Sequence, residues 1–146
     1  MYAQQKAVVA VNCVSATAGA TVTSSNIDLL GYDQATIDVT MTTADNVTNS
    51  PTVLKIQESD DTNASNFADI TEAVGGGVGG FTIGNVVTSG VNNWKFNVDA
   101  RKRKRYLRTL HSPRTTQIAC VVANLSKAEQ APITAAKANA LALVEF

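Results

Sequence analysis

An alternation of period two constrains this chain more than any other feature. In "ATIDVTMT", Ala35, Ile37, Val39 and Met41 alternate with Thr36, Asp38, Thr40 and Thr42. Successive side chains of an extended strand point to opposite faces, so the segment reads as a half-buried β-strand. "TVLKIQES" sets Leu54 and Ile56 against Lys55 and Gln57, and "NWKFNVD" sets Trp94, Phe96 and Val98 inward against Lys95, Asn97 and Asp99. "TTQIACVVANL" is apolar at both parities, as expected of a central strand covered on two sides. Weaker strand patterns fall at residues 7–14, 17–23, 25–30, 67–71, 82–88 and 105–111. Eight to nine strands with a turn signal every dozen residues predict an all-β protein, an antiparallel sandwich or barrel.

The turns agree with this. "LLGYDQ" breaks at Gly31, and "TADNVTNSP" is a loop that places Pro51 just ahead of a strand, where a missing N–H does least harm. "SDDTNASN" is rich in side chains that bond their own backbone and reads as a hairpin connection. "GGGVGG" (75–80) is a flexible link. It lacks the Lys-Ser/Thr partner of a phosphate loop, which argues against a nucleotide site.

With 146 residues there is room for one core, taken as a domain over 1–125 followed by a tail over 126–146. The tail "ITAAKANALALVEF" is too apolar to lie free in water. Capped by Thr134, it is a marginal helix over 135–143; extended, it is a strand with Leu141 and Leu143 on one face. Either way Leu141, Leu143, Val144 and Phe146 are expected to contact the chain's own domain or a neighbouring copy. No stretch approaches the about 20 apolar residues of a membrane-spanning helix, and the N-terminus lacks a signal-peptide pattern. Cys13 and Cys120 follow no metal spacing. They read as two small buried thiols in a protein made in a reducing cytoplasm; a disulfide would require that their strands be neighbours.

Little in the chain points to catalysis. The single His, His111, follows the basic cluster in a strand and is expected at a surface or interface. Asp60 and Asp61 are turn residues rather than an acid–base pair, and "ESDDTN" lacks the spacing of a calcium loop. No metal or cofactor is expected, and the chain is not read as an enzyme. With aromatics at 5% and the only Trp on the inward parity, a sugar-binding platform is also poorly supported.

"RKRKRYLR" stands out: Arg101, Lys102, Arg103, Lys104, Arg105 and Arg108 supply six of the chain's twelve basic residues. Acids and bases balance overall, which disfavours a broad nucleic-acid surface, and only Tyr106 interleaves the cluster for base stacking. The plainest reading is a charged hairpin between the Trp94 and Tyr106 strands, solvated and resistant to wrong edge pairing. A contact with an acidic protein comes next, and a phosphate grip last.

Three ordered segments add a resemblance. "NIDLLGYDQATIDV", "LKIQESDDTNASNFADI" and "NVDARKRKRYLRT" followed by "IACVVANL" resemble a group of small virion proteins of tailed bacteriophages. There a Gln-Glu-Ser-Asp-Asp-like turn (Gln57 to Asp61) precedes an aromatic-x-Asp-Ile segment (Phe67 to Ile70). A basic-Tyr-Leu-Arg strand (Arg105 to Arg108) then leads into the last core strand. The resemblance spans about residues 25–125, leaving the N-terminal segment and the tail from Ser126 outside it, and implies a jelly-roll-like sandwich; the chain's own pattern adds an extended C-terminal tail. It further implies a decoration or cement protein on the outer surface of a capsid, with the major capsid protein as partner and a dimer or trimer as its own state. Tail and head–tail structural roles, a nucleic-acid-binding role for the cluster, and a carbohydrate-binding module are the alternatives.

Overall fold

In a computed structural model, residues 5–128 are described, and they form nine strands and two short 3-10 turns. The strands are β1 (Gln5–Ala16), β2 (Val22–Thr23), β3 (Ile27–Asp28), β4 (Tyr32–Met41), β5 (Val53–Ser59), β6 (Ala68–Val74), β7 (Asn92–Asp99), β8 (Tyr106–Ser112) and β9 (Gln117–Ala128). One sheet has the order β1-β9-β4-β7; the other runs β2-β8-β5-β6, with β3 also paired to β8. All strand pairings are antiparallel. With β2 and β3 counted as one interrupted strand, eight strands lie in two four-stranded sheets. The chain crosses between sheets at every connection except the β5–β6 hairpin, which is the connectivity of a jelly roll.

The alternation expected from the sequence builds the core. Ala35, Ile37, Val39 and Met41 of β4 face Leu54, Ile56 and Leu107 from the second sheet, and all are essentially inaccessible to water. In β9 the inward set is Ala119, Val121, Ala123 and Leu125, which leaves Ile118 half exposed on the outer face. β9 runs to Ala128, three residues past the expected end of the domain.

Several expectations are corrected. The patterns at 17–23 and 25–30 yield only the two-residue strands β2 and β3. Residues 82–88 form no strand, because side chains and the 44–47 loop backbone take up their backbone groups. Asn92 accepts from the N–H of Val87 at 2.7 Å, Trp94 Nε1 donates to Ile83 O at 3.0 Å, and Ser50 Oγ donates to Gly84 O. The basic segment does not close a hairpin. β7 and β8 belong to different sheets, so residues 100–105 form an arch between them, with a 3-10 turn at Ala100–Lys102.

The cysteines are not buried thiols: Cys13 and Cys120 are joined by a disulfide, Cα–Cα 4.2 Å, between adjacent strands β1 and β9. A bulge carries one extra β1 residue between the pairs Val11–Val121 and Val14–Ala119. Within it Cys13 takes φ 33°, a left-handed conformation that turns its side chain toward Cys120. Among the described residues, no helix is long and apolar enough to cross a membrane.

Candidate interaction surface

The arch brings five of the six clustered cations to one end of the sandwich, but carboxylates hold them there. Asp99 caps the 3-10 turn by accepting from the N–H of Arg101 and also takes the Arg101 guanidinium through both oxygens, at 2.9 and 3.1 Å. Lys102 shares the same carboxylate at 3.9 Å. Glu58, at the end of β5, accepts from the Lys104 N–H at 3.1 Å and lies 3.9 Å from Arg103. Lys104 Nζ reaches Asp60 at 3.3 Å, and Arg105 makes a two-pronged contact with Asp28 at 3.0 and 2.9 Å. The Arg101 contact holds the Asp99 carboxyl below its ordinary range, and the Arg105 contact does the same for Asp28. Arg101 and Lys102 remain the most exposed of the set, with side chains 66% and 76% accessible.

Arg108 points elsewhere, onto the outer face of the second sheet. Its guanidinium lies 4.2 Å from the centre of the Phe67 ring, donates to Gln57 Oε1 at 2.8 Å and also reaches Ala64 O. Gln57 in turn donates to Asp69 at 2.6 Å, and Lys55 pairs with the same carboxylate at 2.9 Å. Burial pushes Asp69 up, but the Gln57 and Lys55 hydrogen bonds outweigh it and leave the carboxyl below its ordinary value. Gln57, Phe67, Asp69 and Arg108, taken from three separated stretches of sequence, thus form one interlock across β8, β5 and β6. The β5–β6 connection is the expected hairpin. Asp61 accepts from the Asn63 N–H and the Asn66 amide, and Asn63 caps the 3-10 turn Ala64–Asn66.

His111 is corrected from surface to core. It is wholly buried opposite Leu54, and neither ring nitrogen has a hydrogen-bond partner. Burial lowers its pKa to about 4, so it is neutral near pH 7.

Sequence reasoning did not anticipate a groove of about 590 Å³ along the β7 side of the sandwich. Trp94, Phe96 and Val98 line it with Ile56, Ile70 and Phe81, and Lys102 and Arg103 of the arch stand at its margin. Trp94 is half-buried there rather than sealed in the core. Leu141, Leu143, Val144 and Phe146 lie outside the described residues. Among the described residues no group of three or more His, Cys, Asp or Glu is placed to hold a metal ion. The chain matches no protein-family model, no curated protein and no solved structure.

Proposed function

We propose that this protein is a non-enzymatic structural component of a tailed-phage virion, docking on the outer capsid surface and stabilising the mature shell. The observation that carries the reading is a convergence. Gln57, Phe67 and Asp69 of one resembling segment and Arg108 of another, about 40 residues further along the chain, meet in one interlock. The jelly-roll connectivity supports the same reading, since that fold recurs in capsid proteins, although a fold alone does not assign a function.

A cement protein acts by mass action: it binds the expanded lattice better than its precursor and so favours the mature state. Contacts to several capsid subunits, or an oligomer of the protein itself, add avidity. Arg101 and Lys102, exposed on the arch, meet an acidic strip of the major capsid protein and steer docking. A phosphate grip is less well supported, because Glu58, Asp60 and Asp99 would stand among the phosphates and repel them.

The test uses particles of the phage that encodes the chain, stripped of this protein. Replacing Arg101, Lys102, Arg103 and Lys104 with Ser is expected to slow rebinding at low salt and to flatten its salt dependence while the domain stays folded. Failure of the unaltered protein to bind particles, or salt-dependent binding to a mixed-sequence DNA duplex instead, would overturn the proposal.

A further inference from the structure

The Cys13–Cys120 bond joins β1 to β9 on the outer face of the first sheet, where water reaches it. Cys13 is exposed and Cys120 half-buried, unlike a cross-link sealed between two layers. Its surroundings are unusual for a strand. Residues 12–15 of β1 are all exposed, so side chains of both parities face water and none of the four is buried. The stretch is fixed at its two ends instead. Ala10 and Val11 before it are buried, and Ala10 O accepts from the Ser25 N–H at 2.9 Å. Ala16 after it is buried, and the Ala18 N–H donates to Thr116 Oγ1 at 3.3 Å. Between those ends the bulge interrupts pairing with β9, and Cys13 holds a φ of 33° that a residue with a Cβ rarely adopts. Residues 12–15 are thus kept on β9 by part of a ladder and one covalent bond.

We infer that this bond is a thiol-exchange site that latches residues 12–15 onto β9, and that a small external thiol opens it while the protein stays folded. A thiolate attacks Cys13 Sγ, the more exposed sulfur. A disulfide forms between the external sulfur and Cys13 as the Cys13–Cys120 bond breaks. The electron pair leaves on Cys120 Sγ, which takes a proton from water. The chain has no third cysteine, so a second external thiol resolves the mixed disulfide. That step frees Cys13 as a thiol and joins the two external sulfurs: the protein's bond is reduced and two thiols are oxidised. Released from the bond, Cys13 leaves its left-handed conformation and the stretch lifts from β9.

What it uncovers follows from backbone direction. Ile118 turns both of its backbone groups to Thr42: its N–H donates to Thr42 Oγ1 and its C=O accepts from the Thr42 N–H, each at 3.0 Å. Backbone groups alternate sides along a strand, so those of Gln117, Ala119 and Val121 face β1. Val14 is the residue opposite Ala119, so opening 12–15 bares the Ala119 N–H and C=O as a short strand edge beside the half-exposed Ile118. Because the stretch buries no side chain, its release takes little from the packing of the folded state.

The test treats the oxidised full chain with glutathione at neutral pH, without denaturant, and traps free thiols with iodoacetamide. Peptide mapping is expected to find glutathione on Cys13 and the alkyl group on Cys120. The rate of opening should not change with urea below the unfolding transition, and emission from Trp94, the chain's only tryptophan, should stay that of the folded protein. In the fully reduced protein the Val14 and Ala119 amides should lose nearly all protection from hydrogen exchange, while Ile37 and Val39 of β4 keep theirs. The inference is overturned by glutathione on Cys120, by a rate that climbs with urea as global unfolding does, or by a Trp94 shift that reports unfolding. A reduced protein in which Val14 and Ala119 stay protected overturns it as well, as does a chain that remains a dithiol under a mild oxidant. These readouts use no particles, so they stand or fall separately from the virion proposal.

Discussion

His111 carries the sharpest residue-scale consequence. It lies in the core between the sheets beside Thr109, whose hydroxyl is likewise without a partner. Its pKa is near 4 in the folded state against an ordinary 6.5, so the unfolded chain binds more protons between those values. Stability from this group is therefore complete above pH 6.5, declines as the pH falls, and is fully lost below about 4. The shift corresponds to on the order of 3 kcal/mol. Asp28, Asp61, Asp69 and Asp99 are depressed below 3.8, so their contribution is lost at lower pH, in a separate window. Urea midpoints should fall between pH 6.5 and 4, and His111→Leu should flatten that slope; an unchanged slope would refute the assignment to His111. The sequence could not place this residue. In "YLRTLHS" each parity mixes apolar and polar side chains, so alternation does not say whether Leu107 or Leu110 marks the inner face. The second sheet decides it by setting Leu54 and Ile56 opposite His111 and Thr109.

At the scale of elements, the β5–β6 hairpin depends on a side chain from outside it. The β5–β6 ladder is short and interrupted. The Arg108 contacts with Phe67, Gln57 and Ala64 O fasten the hairpin from the neighbouring strand β8. A partly desolvated cation–π contact with charge-assisted hydrogen bonds contributes about 1–2 kcal/mol. Arg108→Lys keeps the charge but loses the planar fork. Native-state hydrogen exchange should then accelerate about tenfold at residues 60–74, with the first sheet unaffected. A uniform acceleration would mean that Arg108 supports the whole fold, and no acceleration that the interlock is idle. The hairpin itself was legible, since Asp, Asn and Ser at 59–66 can bond their own backbone in only a few ways. The loop at 82–88 was not. Its alternation resembles a strand, and only in the fold do the Ser50, Asn92 and Trp94 side chains and the Val47 and Ala44 backbone, together with the left-handed Gly84, show that its backbone groups are satisfied otherwise. The basic arch misled in a related way, because a charged turn between two strands looks the same whether they share a sheet or not.

At the scale of the whole molecule, the jelly roll brings together strands from opposite ends of the described chain. β1 and β9 are neighbours, and the Cys13–Cys120 bond across them spans 107 residues. The alternation made both strands legible but not their adjacency, which depends on six intervening inter-sheet crossings, nor the extra residue that turns Cys13 toward its partner. A cross-link that encloses most of the chain acts chiefly on the unfolded state, where it removes the conformations that keep the two ends apart. Its loss is expected to lower stability by about 2–4 kcal/mol. The variant Cys13→Ser with Cys120→Ser should unfold at a lower urea concentration than the oxidised protein. It should also show a steeper dependence on denaturant, because its unfolded chain expands further. Reduction of the unaltered protein should reproduce both effects. If the midpoint falls without a change in slope, the bond acts in the folded state by holding the bulged β1 on β9. If neither changes, pairing in the central ladder already suffices to hold the two ends of the fold together.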